Sequence, residues 1–578
     1  MVHVHESSIS LATLTIGVTA HRHIDPAREP LVRQRVREFL LRLQHEFPDL
    51  PLQLVSALAA GGDQLVAEEA LALGIPVLAP LPMTQTEYER DFDDPETLRR
   101  FRNLLARSEV RILPLTPGNN AEDIAAGGAP RDRQYAQLGV FVSSHCQILL
   151  ALWDGEPSAA VGGTAEVVYF HLHESMPALG WSVPTPNQLA EETNDLVYHM
   201  PCVRASRAEA RGEPPPTPRW LTADRSWPGT DPIPHEHRVL FTHMQAYNRD
   251  LRRHRARIDA DAAGLFPAND EQRRDTRLMH RLDTLYRQSD WLAVHYQRRV
   301  RHGLIATHLL AVAMGLAYIA YDNVHADWRL LLIFLLCFGI GWIWYRVGKR
   351  RDWHRKYLDY RALAEGLRVQ LYWHLAGVRA SEEVLFAYDS FLQKQDIELG
   401  WIRHVMRGAS LIHDRRRAPG LEWLHWSIAD WVGSKESHRG QLSYYARKSA
   451  QCEARYRITR RVSALALLTG LGVAVLLIVL NQRLSPNVAN YLLVLVGLLP
   501  LIAGVRNAYG HKQAEKELIK QYRFMSSIFA RARKQLDVAS DDAQRRGILK
   551  ALGEACLQEH TEWILMHRER PLEQSQLT

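Results

Sequence analysis

Residues 14–22 read LTIGVTAHR, and this stretch decides the fold of the first part of the chain. An apolar run ends in a turn of small residues, and the polar pair His21-Arg22 follows at once. That order is typical of a buried strand that carries polar side chains to the edge of a sheet. Similar apolar runs follow at 52–58, 76–81, 110–113 and 148–153, and helical patterns at 28–44, 64–73 and 87–106 separate them. The alternation predicts an α/β domain with a parallel sheet wrapped by helices.

Four apolar segments occupy the second half of the chain, at residues 304–320, 330–347, 462–480 and 491–505. Each is slightly shorter than the roughly 20 residues that a membrane helix needs, so each by itself also fits a buried core helix. Their flanks decide the matter, because Lys and Arg cluster outside each pair while the turns 321–328 and 481–490 contain only Arg483. The positive-inside rule then predicts a multi-pass protein of the inner (cytoplasmic) membrane, with two transmembrane hairpins and both termini in the cytoplasm.

Composition narrows the classes of function. The mean hydropathy of −0.24 argues against a transporter, because most of the chain must lie in water. The formal net charge is +7, and the cations concentrate beside the apolar segments, where anionic headgroups would meet them, so we expect no nucleic-acid partner. The five cysteines lack metal-ligand spacing, which predicts neither a metal site nor a disulfide framework. Residues 1–10 lack a signal-peptide pattern, so we expect the N-terminal domain to stay in the cytoplasm.

Three loops follow predicted strands, at the sheet edge where open α/β folds bind ligands. They lie at residues 17–22, 56–64 and 153–166. Paired glycines in the second and third loops let backbone amides approach an anion, and a helix N-terminus adds positive potential. Asp63 fits a helix N-cap equally well, and Glu166 fits either a ribose hydroxyl or a capping box. Together the loops predict a Rossmann-like nucleotide-binding domain, followed by an all-α region with four transmembrane helices.

Five sequence blocks resemble the SLOG superfamily: GVTAHR (17–22), SALAAGGDQ (56–64), RDRQYAQLG (131–139), LLALWDG (149–155) and VGGTAEVV (161–168). This superfamily includes the LOG phosphoribohydrolases, the DprA-type proteins and the ligand-binding region of melastatin-type TRP channels. The resemblance implies a nucleotide or nucleotide-derived ligand, ADP-ribose-like or a cyclic nucleotide, and no other cofactor. Ala20 stands where relatives usually have glycine, so we expect that turn to bind differently or less closely.

The residues that the resemblance assigns to the ligand are Gly17, Thr19, Arg22, Gly61, Gly62, Asp63, Arg131, Tyr135, Gly162, Gly163, Thr164 and Glu166. The loops themselves add His21, Gln64, Asp154 and Gly155 to the predicted site.

The membrane part resembles the SLATT group, two-helix membrane modules that are associated with SLOG domains. The blocks that carry this resemblance are YRALAE (360–365), FLQKQ (391–395) and GWIR (400–403), and the second hairpin matches only in layout. The resemblance implies a pore-forming effector of a bacterial conflict system.

Three hypotheses of function follow. In the first, a nucleotide signal gates a homo-oligomer of membrane hairpins in antiviral defence, and a signal-producing enzyme is an expected partner. In the second, the N-terminal domain is a membrane-anchored phosphoribohydrolase in which Glu166 and Arg131 are catalytic. In the third, the chain is a non-conducting membrane scaffold. Close helix contacts are expected at Gly339, Gly341, Gly470 and Gly472, although tolerance of glycine in lipid explains these residues equally.

The predicted organisation has seven parts. They are a nucleotide-binding domain (1–205), a Pro-rich linker (206–235), basic cytoplasmic helices (236–302), a first hairpin (303–347), a cytoplasmic helical region (348–445), a second hairpin with the helix before it (446–510) and a C-terminal cytoplasmic helix (511–578).

Overall fold

The computed structural model forms two compact units, the sheet unit (Met1–Gln288 with Arg379–Arg417) and the helical unit (Ser289–Val378 with Ala418–Thr578). The residues that the structure describes are 9–158, 160–176, 179–180, 196–203, 217–266, 277–324, 326–378, 391–392, 397–411, 420–434, 440–480 and 483–568. Parts of the predicted linker (206–216) and of the FLQKQ block (393–395) lie outside these residues.

The sheet unit is built on one mixed sheet. Its strands are β1 (Leu14–Ala20), β2 (Leu52–Val55), β3 (Val77–Leu81), β4 (Glu109–Ile112), β5 (Ile148–Trp153), β6 (Val197–Pro201), β7 (Arg219–Leu221) and β8 (Ser226–Pro228). The strand order is β4-β3-β2-β1-β5-β6-β7-β8. Neighbours from β4 to β6 pair in parallel, and β7 and β8 add an antiparallel edge.

Helices cover this sheet. They are α1 (Glu29–Glu46), α2 (Gly62–Ala72), α3 (Gln85–Tyr88), α4 (Pro95–Ala106), α5 (Ala121–Ala126), α6 (Ala129–His145) and α7 (Thr164–His173). The central strands β1 and β5 are buried along almost their whole length, which explains their continuous apolar sequence. The five predicted strands are therefore confirmed.

The structure departs from the sequence-based expectation in three places. The helix predicted at 87–106 divides into α3 and α4, because Pro95 opens a new helix and the side chain of Asp94 caps it by accepting the Thr97 N–H. The second strand ends at Val55 rather than at residue 58, and Leu58 has a left-handed φ of 57°. Two strands, β7 and β8, lie within the range predicted as a linker, where Trp220 is fully buried against Tyr198.

Two further helices, α8 (His235–Asp261) and α12 (Gly400–Ser410), belong to the sheet unit. The buried side chain of Asn248 accepts the Ala12 N–H at 2.8 Å and donates to the carbonyl oxygens of Ala12 and Asp49. Arg249 and Arg252 pair with the Asp49 carboxylate. The basic helix predicted from residue 236 therefore packs on the sheet unit through one face.

The helical unit begins at Ser289, within the helix α9 (Arg277–Asn323). Its other helices are α10 (Trp328–Arg350), α11 (Trp353–Ala376), α13 (Leu421–Ser427), α14 (Gln441–Leu480), α15 (Pro486–Lys512), α16 (Glu515–Val538) and α17 (Asp542–Arg568). Four of these, α9, α10, α14 and α15, contain segments long and apolar enough to cross a membrane, judged by length and composition. At most 17% of each segment is buried inside the structure, so their apolar side chains face outward. The prediction of four such helices is confirmed.

Several glycines lie at helix–helix contacts in this unit. A Cβ atom added at Gly315 of α9 would overlap Leu501 of α15, and one at Gly470 of α14 would lie 3.5 Å from Pro500. Among the predicted interface glycines, Gly341 faces Leu310 at 3.6 Å, whereas Gly339 and Gly472 have open space around them. Of these contacts, the one that joins α9 to α15 at Gly315 is the tightest.

Candidate functional site

A cavity of about 320 Å³ lies beyond the carboxyl ends of β1 and β5. Strand order reverses here, because β2 pairs with one side of β1 and β5 with the other. Open α/β sheets bind ligands at such a point, since the loops on its two sides diverge and leave a crevice. The cavity is lined by Val18, Thr19, Ala20, His21, Arg22, Ala57, Ala59, Asp63, Tyr88, Tyr135, Leu138, Gly139, Val142, Ser158, Ala160, Gly162, Gly163, Thr164, Ala165 and Val167.

The structure brings half of the predicted site residues to the wall of this cavity. They are Thr19, His21, Arg22, Asp63, Tyr135, Gly162, Gly163 and Thr164. The other half are Gly17, Gly61, Gly62, Gln64, Arg131, Asp154, Gly155 and Glu166, which lie beneath or beside the wall.

Arg22 supplies positive charge to the cavity. Its guanidinium carbon lies 5.6 Å from the centre of the Tyr135 ring, within the range of a cation–π contact. The hydroxyl of Tyr135 in turn donates to the Asp91 carboxylate. Burial lowers the pKa of Arg22, but Tyr135, Tyr88 and Asp91 together raise it above its usual value. The side chain is therefore a permanent cation in a partly desolvated position.

Asp63 supplies a carboxyl group to the same cavity. Burial raises its pKa from 3.8 to about 7, although the Arg22 charge and hydrogen bonds from the backbone of Ala59 and Ala20 oppose that rise. The N-cap position of α2 is Gly61, so Asp63 lies in the first helical turn and is not the N-cap. Near neutral pH this carboxyl group can therefore donate or accept a hydrogen bond.

Two glycines let the loops approach each other closely. Gly61 has a φ of +84°, and a Cβ atom there would overlap the backbone of Arg22. Gly162 has a φ of +70°, and a Cβ atom there would lie 2.7 Å from both Tyr135 and the Ala136 backbone nitrogen. Only glycine combines this conformation with this proximity. The first loop consequently rests on the start of α2, where the Gly62 N–H donates to the His21 carbonyl at 3.1 Å.

The third loop leads into α7, whose first residue is Thr164. The Glu166 carboxylate accepts the Gly162 N–H at 2.5 Å, just before the N-cap Gly163. This bond resembles a capping box, in which a side chain from the first turn satisfies a backbone donor ahead of the helix. One oxygen of Glu166 is thus engaged in holding the loop, and the start of α7 faces the cavity.

Arg131 does not line the cavity. Its guanidinium pairs with Glu87 at 2.7 Å and with Asp91 at 2.8 Å, and its side chain is 13% exposed. Its charge is therefore already balanced by two carboxylates. Gln64 is likewise directed elsewhere, toward the carbonyl oxygens of Leu58 and Thr97.

Three predicted residues support the site from outside. A Cβ atom at Gly17 would lie 2.7 Å from the Cys146 Sγ, so this glycine lets α6 pack on β1. The Asp154 N–H donates to His21 Nε2 at 3.0 Å, and its carboxylate lies 3.1 Å from the same nitrogen. Gly155 turns the chain after β5 with a φ of +86°. The loops after β1 and β5 are thereby joined through His21.

Sequence reasoning missed Tyr88 and Asp91. Tyr88 is buried, lines the cavity and donates to the Ala57 carbonyl at 3.3 Å, and Asp91 holds Tyr135 and Arg131. Both lie in a stretch that was expected to be one continuous helix. The DFDDP motif at 91–95 was the available signal, because an aspartate before proline marks a new helix start.

The described residues contain no group of three or more His, Cys, Asp or Glu side chains placed to hold a metal ion. Comparison of the chain with protein-family models, with curated proteins and with solved structures finds no match.

Proposed function

We propose that this protein is a membrane-bound sensor in which the cavity at the end of β1 and β5 binds a nucleotide or nucleotide-derived signal. The main support is that Arg22 and the N-terminus of α7 line the same cavity, at the position in the sheet where the strand order reverses. A guanidinium and a helix N-terminus are both suited to phosphate. The domain is proposed to be Rossmann-like and a member of the SLOG superfamily.

The chemistry of the wall suits the rest of such a ligand. Tyr88 and Tyr135 offer aromatic surface, and Asp63 offers a carboxyl group for a ribose hydroxyl or a base. A volume of about 320 Å³ lies at the small end of ligand pockets, which span roughly 300–1,000 Å³. An ADP-ribose-like molecule or a cyclic nucleotide would therefore fill it with one nucleotide moiety.

The helical unit is the proposed effector. Its four apolar helices would form two hairpins in the inner membrane, with both termini in the cytoplasm, as in the SLATT group. Four helices enclose little space, so a water-filled pore requires a homo-oligomer. Ligand binding shifts the membrane helices only if the ligand binds one of their packings better than the other. A role in bacterial antiviral defence, with a separate enzyme producing the signal, follows from the same resemblance.

A phosphoribohydrolase is the less favoured function. It would require Glu166 and Arg131 at the substrate, whereas Glu166 holds Gly162 and Arg131 is paired with Glu87 and Asp91. Incubation of a purified Glu166→Gln variant and the wild type with nucleoside monophosphates separates the two functions. Base release by the wild type alone would favour the hydrolase.

The first test is thermal stabilisation of the full-length protein in detergent by ADP-ribose, mononucleotides and cyclic dinucleotides. The whole chain is needed because β7, β8 and α8 complete the sheet unit. A ligand at 100 times its Kd stabilises the folded state by about 2.7 kcal/mol, which is measurable as a higher midpoint. We expect one nucleotide to raise the thermal midpoint of the wild type and to leave the midpoint of the Arg22→Ala variant unchanged. No rise with any of them would overturn the sensor.

A further inference from the structure

A second polar cavity, of about 310 Å³, lies inside the helical unit. Residues of α9, α11, α14, α16 and α17 line it, so it is enclosed on several sides by helices that are distant in sequence. Its wall combines charged groups with tyrosine and tryptophan side chains. Ligand pockets span roughly 300–1,000 Å³ and occur between the helices of bundles.

Two arginines and a glutamate on one face of α11 form the centre of the wall. Glu365 accepts from Arg361 at 2.6 Å and from Arg368 at 2.7 Å. Arg361 also pairs with Asp290 of α9 at 2.8 Å. Burial raises the pKa of Glu365, but the two arginines outweigh it and lower that pKa to about 2. The network is therefore fully charged, and it joins α9 to α11.

Lys448 adds a cation for which the described residues provide no carboxylate within ion-pair distance. Its Nζ lies 5.8 Å from the ring centre of Tyr444, one turn earlier on α14. A lysine ammonium at the wall of a polar cavity, resting on an aromatic ring, is available to bind an anion.

The acidic side of the cavity does not balance this charge. Burial, together with the neighbouring Glu365, raises the pKa of Glu559 to about 8, so Glu559 is mostly neutral at pH 7. Burial lowers the pKa of His560 to about 3, so His560 is neutral as well. The charged groups that line the cavity are then Arg361, Arg368 and Lys448 against Glu365, with Asp290 of α9 paired to Arg361.

We propose that this cavity binds a phosphate-bearing anion, held by Lys448 and the outer edges of Arg361 and Arg368. The tyrosine hydroxyls of the wall add neutral donors, and Trp563 adds aromatic surface. Because α14 continues from Lys448 into its apolar segment, an occupant would connect α11 and α17 to a membrane helix.

The position of the cavity favours a soluble ligand over a lipid headgroup. Lys448 lies 14 residues before Val462, where the apolar segment of α14 begins, and at 1.5 Å per residue that is about 21 Å along the helix. On α9, Gln297 precedes the apolar segment by seven residues, or about 10 Å. A lipid phosphate lies at the membrane surface, so it would have to leave the bilayer to reach Lys448.

The test is calorimetric titration of inorganic pyrophosphate into the full-length protein in nanodiscs of phosphatidylcholine. Lys448→Gln removes the charge without breaking an ion pair among the described residues. Lys516→Gln is the matched control, because Lys516 also rests on a tyrosine ring, that of Tyr456 at 5.9 Å, but lies outside the cavity. We expect Lys448→Gln to weaken pyrophosphate binding at least tenfold and Lys516→Gln to change it less than twofold.

Because Arg22 is proposed to bind phosphate in the cavity of the sheet unit, the titrations are repeated in the Arg22→Ala background. The pyrophosphate binding that remains there should still weaken at least tenfold when Lys448→Gln is added. Absence of binding by the wild type, or binding that Arg22→Ala abolishes and Lys448→Gln preserves, would overturn the proposal. Nanodiscs containing phosphatidylglycerol identify the source. If phosphatidylglycerol leaves the pyrophosphate affinity unchanged, the ligand of the site is soluble. If phosphatidylglycerol lowers that affinity in the wild type but not in Lys448→Gln, a lipid headgroup occupies the same phosphate site.

Discussion

The guanidinium of Arg22 stacks on the ring of Tyr135, with 5.6 Å between the guanidinium carbon and the ring centre. Arg22 comes from the loop after β1, and Tyr135 comes from α6. The Tyr135 hydroxyl is held by Asp91, so the ring cannot turn away without losing that hydrogen bond. The cation is thus oriented before any ligand arrives, which lowers the entropic cost of binding.

Arg22→Ala should weaken the binding of ADP-ribose, the first probe for this cavity, by about ten- to a hundredfold. A hydrogen bond to a charged group contributes about 1.5–3 kcal/mol, and 1.4 kcal/mol corresponds to a tenfold change in Kd. Calorimetric titration of ADP-ribose into the full-length protein measures the two dissociation constants. The control is Arg99→Ala, because the Arg99 side chain is 74% exposed and lies on α4 outside the cavity. Equal affinities in the two variants would contradict the role of Arg22.

Asp63 should make the stability of the protein fall as the pH rises. Its pKa is about 7 in the folded protein and 3.8 in an unperturbed chain, so the folded state holds a proton that the unfolded chain releases between these values. At 1.36 kcal/mol per pH unit, this group lowers the free energy of unfolding by roughly 4 kcal/mol as the pH rises from about 4 to about 7.

Asp63→Asn removes that dependence. Relative to the wild type, its thermal midpoint should rise between pH 5 and about pH 7 and then level off, because the amide cannot lose a proton. The exposed Asp93 provides the control variant Asp93→Asn, whose midpoint should follow the wild type at every pH. A constant difference between Asp63→Asn and the wild type would refute the raised pKa.

Gly162→Ala should destabilise the sheet unit more than Gly128→Ala. Both glycines have a positive φ, +70° and +68°, so an alanine strains the backbone at either position. A Cβ atom at Gly128 meets open space, whereas one at Gly162 would lie 2.7 Å from the backbone nitrogen of Ala136. We therefore expect a lower thermal midpoint for Gly162→Ala, because the steric conflict adds to the backbone strain. Equal midpoints would mean that the third loop does not rest on α6.

Gly315→Val tests the packing of α9 on α15. The added side chain overlaps Leu501, and overpacking of this kind costs about 1–3 kcal/mol. Gly504→Val is the matched control, because a Cβ atom at Gly504 of α15 meets nothing within 4 Å. In detergent we expect only Gly315→Val to lower the thermal midpoint and to increase cleavage by trypsin. An unaffected Gly315→Val protein would show that these helices do not pack closely.

Cysteine labelling tests the proposed orientation in the membrane. In a variant with serine at the five native cysteines, Ala326→Cys and Ser485→Cys place thiols in the two connecting turns. A membrane-impermeant maleimide added to intact bacterial cells should label both, and it should label the control Ser540→Cys only after lysis. Labelling of Ser540→Cys in intact cells would reverse the proposed topology.

The sequence by itself determined those features that depend on local pattern. The strands β1, β2, β3 and β5 were predictable because each is largely buried and therefore mostly apolar, whereas β4 is an exposed edge strand that was recognised only from its short apolar run. The four apolar helices were predictable for the same reason, since hydropathy and flanking charge need no tertiary contact. Glycines next to a strand end also pointed correctly to the loops that border the cavity.

Only the tertiary structure decided which side chains meet at those loops. Arg131 and Arg22 are equally suitable for phosphate by sequence, but only Arg22 lines the cavity, whereas Arg131 pairs with Glu87 and Asp91. The strands β7 and β8 are each three residues long, too short to show a period, and they form because β6 offers them an edge to pair with. The cavity around Lys448 joins residues up to 270 positions apart, from Ala293 to Trp563, and no local sequence pattern predicts that they meet. Ion pairing and strand pairing act through space, so their partners are set by packing.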